Sequence, residues 1–336
     1  MLDSLPLLTL YLSERCNSRC VTCDYWRHGT KDASLESVRA LLPDLTGLRT
    51  RTVLLSGGEP LMNPEWPEIA ALLKGRGLGL WLLTSGLSLA KDARQAVGLF
   101  QSITVSLDGT CPETYAAIRG LDAFDKVCEG IQAVAALGVR PSLRVTLQRA
   151  NFRELLRFVS LARELGASQV SFLAVDVSNP HAFARREDVS PHDLALWGDD
   201  IPLLDELLAA LEDEHAADFR TGFIAESPQK LRHIRDYFAA LCGQRELPSV
   251  RCNAPEFSAV VNVDGRVAPC FFIPAPTGAP RAPYLEDALA SEPMRALRNS
   301  IRAGQRSECA KCVCSMWRDP ATFATETFQQ RVAGDV

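Results

Sequence analysis

The sequence lacks the features that mark exported, membrane-spanning and nucleic-acid-binding proteins. Residues 1–12 have no basic stretch ahead of their apolar residues, so no secretory signal peptide is predicted. No window approaches the roughly 18 uninterrupted apolar residues that a transmembrane helix needs. The net charge of −5 is small and has the wrong sign for a dedicated nucleic-acid binder. We therefore expect a cytoplasmic, globular protein without a membrane or nucleic-acid partner.

The cysteine content is high for such a protein. The chain of 336 residues contains 11 cysteines, and its 47% hydrophobic residues supply a core without them. The odd number and the missing export signal argue against a disulfide framework. Metal-binding or catalytic cysteines in a reducing compartment are the better interpretation.

Strands and helices alternate in the first half of the chain. This order predicts an α/β fold with a parallel sheet, in the form of a partial (β/α)6 TIM-like barrel whose active site lies at the carboxyl ends of its strands. One helix is predicted to begin after the N-cap Ser34 and to stop at Pro43. The predicted strands are Leu7–Ser13, Arg51–Leu55, Gly79–Leu83, Ser102–Leu107, Ser142–Leu147 and Gln169–Val175.

The composition changes after the sixth predicted strand. We expect a barrel core over residues 1–185, a helical connecting segment over 186–248 and a small domain over 249–336. Five of the 11 cysteines lie in this last part. Asp264 and Gly265 between two short apolar segments predict a β-hairpin there. So small a segment needs a metal to fold stably.

Three cysteines follow directly after the first predicted strand. Cys16, Cys20 and Cys23 lie within eight residues, so their thiolates can converge on one soft metal centre. Zinc is the competing interpretation, but a closed zinc site needs four ligands and only His28 lies nearby. Three ligands leave an open position or require a distant fourth ligand, and a catalytic metal needs the open position.

Four further cysteines form a second group near the C-terminus, namely Cys252, Cys270, Cys309 and Cys312. Four thiolates complete a tetrahedral or cubane site with no open position. A zinc site remains the alternative for this group. Cys314 lies close by, as a spare thiol, a substitute ligand or a hydrogen donor.

A glycine-rich turn ends the second predicted strand. Gly57 and Gly58 allow close approach of the backbone to a ligand, and Glu59 adds a carboxylate before Pro60. Together with the three-cysteine segment, this turn resembles the radical S-adenosylmethionine (SAM) superfamily. The C-terminal cysteines resemble its SPASM/twitch extension, in the shorter form with one auxiliary cluster.

The resemblance implies the cofactors and their ligands. The first three cysteines would hold a [4Fe–4S] cluster whose fourth iron binds SAM, and the C-terminal four an auxiliary [4Fe–4S] cluster. An external one-electron donor of the flavodoxin or ferredoxin type would trigger cleavage of SAM to methionine and a 5′-deoxyadenosyl radical. The SAM contacts implied for this sequence are Gly57, Gly58, Glu59, Thr84, Ser85, Ser106, Asp108 and Arg144. Arg119-Gly120 and Asn151 follow the family layout, whereas Thr22 stands where the family usually has an aromatic residue.

The reaction itself is less constrained. The spacing of the C-terminal cysteines is similar to that of aminocyclitol dehydrogenases, which favours oxidation of a small polar natural-product intermediate such as a sugar or cyclitol. The alternatives are a peptide-modifying (RiPP) maturase, a radical epimerase and a non-enzymatic iron–sulfur or zinc protein. Because the first predicted strand begins at Leu7, we expect no fused N-terminal peptide-recognition domain.

Substrate contacts are expected beyond the fifth and sixth strands. Asp176 and Asn179 follow the sixth strand directly, although a helix N-cap or an Asx-turn is the alternative role for either. Arg185 and Arg186 would suit an anionic substrate, but paired arginines are usually solvated.

Overall fold

One eight-stranded sheet organises the protein. The computed structural model describes residues 4–179, 181 and 186–323. Its strands are β1 Leu7–Ser13, β2 Thr52–Gly57, β3 Gly79–Thr84, β4 Ser102–Ser106, β5 Ser142–Leu147, β6 Gln169–Ala174, β7 Ser258–Val261 and β8 Val267–Ala268. They lie side by side in the order β6-β5-β4-β3-β2-β1-β7-β8.

Helices fill the connections between these strands. In chain order they are α1 Tyr25–His28, α2 Leu35–Gly47, α3 Trp66–Lys74, α4 Leu89–Leu99, α5 Pro112–Arg119, α6 Phe124–Ala136, α7 Leu155–Glu164, α8 Pro191–Leu194, α9 Asp200–Glu214, α10 Ala216–Thr221, α11 Pro228–Leu241, α12 Ala254–Phe257, α13 Leu285–Ala290, α14 Glu292–Arg302 and α15 Ser307–Ala310. None of these described helices has the length and apolar character needed to cross a membrane.

The first six strands confirm the predicted parallel sheet. Each pairs in parallel with the next along the chain, from β1 to β6. Their residues are mostly buried, because helices cover the faces of a parallel sheet. This burial explains why the strands are continuous apolar segments in the sequence. Among the described residues no strand joins β6 to β8, so the structure is an unclosed partial barrel. Parallel strands place their carboxyl ends, and hence the loops that follow them, at one edge of the sheet.

Two details of the helices differ from the sequence-based expectation. Helix α2 does not stop at Pro43 but continues to Gly47, because Leu42 and Leu45 on either side of the proline pack into the core. Helices α4 and α5 were not predicted. In α4 the buried residues are Leu89, Ala93 and Ala96, and in α5 they are Tyr115 and Ile118. So few buried apolar residues give the sequence only a weak helical periodicity of hydrophobicity.

The C-terminal hairpin is less separate than its composition indicates. Strands β7 and β8 form the predicted antiparallel hairpin. However, β7 also pairs in parallel with β1, with Leu7 opposite Ser258 and Leu10 opposite Val261. The cysteine-rich segment is therefore built onto the edge of the barrel sheet. The domain boundaries at 185 and 248 remain predictions.

A buried asparagine ties the first two β/α units together. The side-chain amide of Asn63 donates to the carbonyls of Leu12 and Ala33, at 2.9 and 2.8 Å. Its carbonyl oxygen accepts from the amide of Glu65 at 2.8 Å. Asn63 is fully buried, so water cannot replace these partners.

We predict that Asn63→Ala lowers the free energy of unfolding by about 3 kcal/mol. The substitution removes the Asn63 partner of the buried Ala33 carbonyl and of the Glu65 amide, and it removes one of the two donors to the Leu12 carbonyl. Urea titration followed by circular dichroism measures the loss. The control is Asn299→Ala on the exposed side of α14, which should change stability by less than about 0.5 kcal/mol. Equal losses in the two variants would contradict this role for Asn63.

Candidate active site

The segment 14–24 after β1, here called the cysteine loop, carries Cys16, Cys20 and Cys23. The amide of Ser18 donates to the sulfur of Cys16 at 3.5 Å, and the amide of Tyr25 donates to the sulfur of Cys23 at 3.4 Å. Hydrogen bonds of this kind stabilise thiolate ligands of iron–sulfur clusters. These amides would therefore stabilise negative charge on the sulfurs of Cys16 and Cys23.

Burial governs the titration of these thiols. It raises the pKa of Cys16 and of Cys23 to about 12, and it raises the pKa of Cys20 as well. The three thiolates would also repel one another, so the three sulfurs lie close enough for their charges to interact. A metal ligand must be a thiolate, so these cysteines suit a cationic iron centre that compensates their charge. The donor set therefore fits the implied cluster.

The glycine turn after β2 lies against the cysteine loop. The amide of Gly58 donates to the carbonyl of Ser13, and that of Glu59 to the carbonyl of Arg15, both at 2.8 Å. A Cβ atom on Gly58 would lie 2.3 Å from the Arg15 carbonyl oxygen. Gly57 has φ +119°, which side-chain-bearing residues rarely adopt. Both glycines are needed for this contact.

Glu59 connects the glycine turn to the end of β3. Its Oε1 accepts from the Thr84 hydroxyl at 2.8 Å and from the Leu61 amide at 3.1 Å. Its Oε2 accepts from the Ser85 amide at 2.6 Å. The Ser85 hydroxyl donates to Asn17 in the cysteine loop at 2.9 Å. The structure thus brings the predicted residues Glu59, Thr84 and Ser85 into one network.

This network gives Glu59 a role that its sequence position did not predict. The residue has no exposed surface. Burial raises the pKa of its carboxyl group, and the hydrogen bonds from Ser85, Thr84 and Leu61 oppose that rise. Its carboxylate holds the β2 and β3 turns together, and contact with the amino group of SAM remains a prediction.

Asp108, whose contact with SAM remains a prediction, pairs with a residue to which the sequence assigned no role. Its Oδ2 lies 2.7 Å from Nη2 of Arg119, and its Oδ1 accepts from the Thr146 amide at 2.7 Å. Arg119 also donates from Nη1 to the sulfur of Cys20 at 3.6 Å. Asn151 donates to the Asp108 carbonyl at 2.9 Å. The arginine at the end of α5, followed by Gly120, is the sequence signal for this contact.

A second group of charges lies along the middle of β5 and β6. Ser106 and Arg144 are register partners on β4 and β5, and both are half-buried. The charge of Arg144 acts on Glu226, a fully buried carboxylate that accepts from the Ser171 hydroxyl and the Phe172 amide, both at 2.7 Å. Glu226 was not predicted. The segment before it bridges to β6 at Ile224, a pairing without a local sequence signal.

All five C-terminal cysteines line one cavity of about 400 Å³. The cavity includes the predicted ligands Cys252, Cys270, Cys309 and Cys312, together with Cys314. The Met316 amide donates to the sulfur of Cys252 at 3.5 Å. A cavity of this size and thiol content fits an auxiliary cluster. Cys314 lies near enough to Cys252, Arg144, Lys230 and Glu226 for their charges to act on its thiol.

Single-ion sites are not formed by these cysteines. In the part of the chain that the structure describes, no three His, Cys, Asp or Glu side chains are grouped to hold one metal ion. Tetrahedral zinc requires such convergence, with sulfurs about 2.3 Å from the metal. A cubane cluster spreads its ligands over separate irons and does not.

The predicted substrate residues are used to build a turn. Oδ1 of Asp176 accepts from the amides of Ser178 and Asn179 at 2.9 and 3.0 Å, which is the Asx-turn alternative. The Asn179 side chain donates to the Phe272 carbonyl at 2.8 Å and so joins the β6 loop to the C-terminal segment. Substrate contact by either remains a prediction.

Of the two arginines considered for an anionic substrate, the structure describes Arg186 alone. Arg186 forms an ion pair with Asp188 at 2.7 Å, and its side chain is only 16% exposed. Arg185 lies outside the described residues.

Aromatic rings join the two cysteine groups. The Tyr11 ring, on β1, lies 5.8 Å edge-on from Tyr25 beside the cysteine loop. It also lies 6.4 Å from the ring of Phe271, next to Cys270. The cysteine loop and the auxiliary cavity therefore face the same end of β1.

Comparison with known families matches both cysteine groups. Residues 10–162 match the model of the Radical SAM superfamily. Residues 252–313 match that of SPASM, an iron–sulfur cluster-binding domain. Each matched range contains all the cysteines of the corresponding predicted site.

Curated relatives resemble the barrel part of the chain. The Fe-coproporphyrin III synthase of Methanosarcina barkeri is 30% identical over 196 residues, covering 56% of this chain and 48% of that protein. GTP 3',8-cyclase 1 of Mycobacterium tuberculosis is 35% identical over 181 residues, covering 49% and 50%. Mycofactocin maturase MftC of the same organism is 28% identical, covering 50% and 44%. The chain thus spans about half the length of the relatives it matches.

Solved structures resemble nearly the whole chain in fold. SuiB of Streptococcus suis, bound to its precursor peptide SuiA, superposes with a TM-score of 0.65 at 12% identity, covering 94% of this chain and 72% of that one. The anSMEcpe structure with bound AdoMet gives 0.64 at 17% identity, covering 92% and 89%. At such identities the likeness establishes the fold alone.

We predict that Gly58→Ala displaces the cysteine loop, because the added Cβ meets a backbone oxygen that cannot rotate away. Iron bound at the first cysteine group after anaerobic reconstitution should fall at least about tenfold, a loss of about 1.4 kcal/mol in the cluster-binding conformation. Gly98→Ala is the matched control, because its Cβ meets no described atom within 4 Å. Full iron loading of the Gly58 variant would refute the close-contact argument.

Proposed function

Because the chain is a member of the radical SAM superfamily and carries a C-terminal iron–sulfur cluster-binding domain, we propose that it is an enzyme that oxidises a small polar substrate by hydrogen abstraction. A sugar or cyclitol intermediate of natural-product biosynthesis is the substrate class that we favour. The observation that carries the proposal is the cavity lined by five cysteines beside the end of β1. It holds enough thiols to close an auxiliary cluster completely.

Some residues of the chain would bind the clusters, and others hold the surrounding turns in place. Cys16, Cys20 and Cys23 would hold the first cluster, and the C-terminal cysteines the second. The clusters and SAM, when bound, supply the electron that starts the reaction, the radical that removes hydrogen and the acceptor for a second electron. The buried Glu59 network keeps the turns around this site in place.

Oxidation of an alcohol carbon requires the loss of two electrons and two protons. One hydrogen atom would leave the carbon and end in 5′-deoxyadenosine. The hydroxyl proton would pass to solvent as the C=O bond forms, and the C-terminal cysteines would hold a cluster able to accept the remaining electron. The contact of Tyr11 with Phe271 and the Asn179–Phe272 hydrogen bond support this arrangement, because they hold the auxiliary cavity against the barrel. A flavodoxin- or ferredoxin-type protein is the proposed donor of the first electron.

Peptide modification is the second candidate function. The mycofactocin maturase among the relatives and the peptide-bound SuiB among the structural neighbours favour it. Radical epimerisation would need a thiol that faces the substrate, and Cys314, beside Arg144 and Glu226, is the residue whose place suits it. A non-enzymatic iron–sulfur protein would cleave no SAM.

We predict about eight irons per chain after anaerobic reconstitution, and dithionite-dependent formation of 5′-deoxyadenosine. Cys23→Ala should abolish that product, because the first cluster loses one of its three protein ligands. Cys111→Ser, at a thiol outside both groups, is the control and should leave it unchanged. Iron near four per chain with retained zinc would overturn the two-cluster proposal.

We also predict that the double substitution Cys309→Ala/Cys312→Ala separates SAM cleavage from product formation. It removes two auxiliary ligands and leaves the first site intact, so 5′-deoxyadenosine should still form while two-electron oxidation falls by at least about a hundredfold, roughly 2.7 kcal/mol in the barrier. Liquid chromatography with mass detection on a panel of aminocyclitols, sugars and short peptides reads both products. An unchanged yield of oxidised product would exclude the auxiliary cluster as electron acceptor.

A further inference from the structure

The end of helix α5 holds the middle of the cysteine loop. The amide of Arg19 donates to the carbonyl of Arg119, and the amide of Val21 donates to that of Ile118, both at 2.9 Å. These two bonds flank Cys20 on both sides. The following Gly120 has φ +70°, and a Cβ there would lie 2.4 Å from the Arg19 carbonyl oxygen.

The side chain of Arg119 reaches the sulfur between these two bonds. Its Nη1 donates to the sulfur of Cys20 at 3.6 Å, while Nη2 pairs with Asp108 at 2.7 Å. The guanidinium is 12% exposed and the Asp108 side chain 5%, so solvent screens this contact weakly. The guanidinium of an arginine is not deprotonated in proteins, so Arg119 brings a cation to this sulfur.

Asp108 is itself held in place from the next strand. Its second oxygen accepts from the Thr146 amide at the end of β5. A chain of contacts therefore runs from β5 through Asp108 and Arg119 to one cysteine sulfur. The donor to the Cys20 sulfur is thus a charged side chain, whereas the sulfurs of Cys16 and Cys23 accept from backbone amides.

A cation and an N–H donor at a cluster sulfur stabilise the reduced, more negative form and raise the reduction potential. A nearby carboxylate acts in the opposite sense. We infer that Arg119 is a positioning residue that sets the reduction potential of the SAM-binding cluster through Cys20, and that Asp108 limits the strength of its effect. This inference rests on the proposed function, because it requires a cluster at the first cysteine group.

The test is a redox titration of the reconstituted full-length chain, without SAM, followed by electron paramagnetic resonance. The signal of the first cluster is identified in the unsubstituted protein by its change when SAM is added. Arg119→Met removes the cation and its hydrogen bond, so the potential should shift to a more negative value. Asp108→Asn leaves the guanidinium charge uncompensated, so the potential should shift to a more positive value.

Opposite shifts distinguish tuning from mere structural support, since damage to the loop would lower cluster occupancy in both variants alike. If Arg119→Met does not fold, Arg119→Lys keeps the charge but lacks the fork that spans both partners, and should give a smaller negative shift. The surface pair Arg157 and Glu164 supplies matched controls, Arg157→Met and Glu164→Gln, with no shift expected.

Each outcome decides one statement. Suppose that the unsubstituted protein shows a SAM-responsive signal. Unchanged potentials, or shifts of the same sign in both variants, would then overturn the role of Arg119 and leave the proposed function standing. Absence of any SAM-responsive cluster in the unsubstituted protein would overturn the proposed function itself.

Discussion

The contact between the cysteine loop and the glycine turn is the constraint on which the rest of the site depends. Gly58 brings its backbone so close to Arg15 that a methyl group would not fit, and two backbone hydrogen bonds join the segments. Because these segments follow adjacent parallel strands, the sheet itself sets their separation. Everything that the thiols are expected to hold is positioned from this contact.

Buried polar side chains extend that constraint across the sheet. Glu59 fixes the turn after β3, and Asn63 fixes the segments that lead into α2 and α3. Asp108 and Arg119 carry the connection from β5 back to Cys20. Each of these groups is buried and paired, so the loss of a partner costs more than one hydrogen bond. Rigid support of this kind holds reactive groups in one arrangement, and it leaves the chemistry to the bound groups.

The C-terminal segment uses the same sheet. Strand β7 pairs with β1, so the cavity lined by cysteines lies beside the strand that leads into the cysteine loop. The ring of Tyr11 contacts one aromatic ring beside the cysteine loop and one beside the cavity. Two sites that are more than 200 residues apart in the chain thus share one strand. This arrangement suits a reaction in which two electron-transfer groups serve one substrate.

The sequence by itself determined the parallel strands, the two cysteine groups and the glycine turn, because each rests on local spacing: apolar runs, thiols a few residues apart, and glycines where no side chain fits. Only the tertiary structure decided that Arg119 reaches Cys20, that Glu226 faces Arg144, that Asp176 builds a turn, and that β7 joins β1. Those contacts link residues far apart in the chain, and their energies come from burial and pairing that local sequence does not encode.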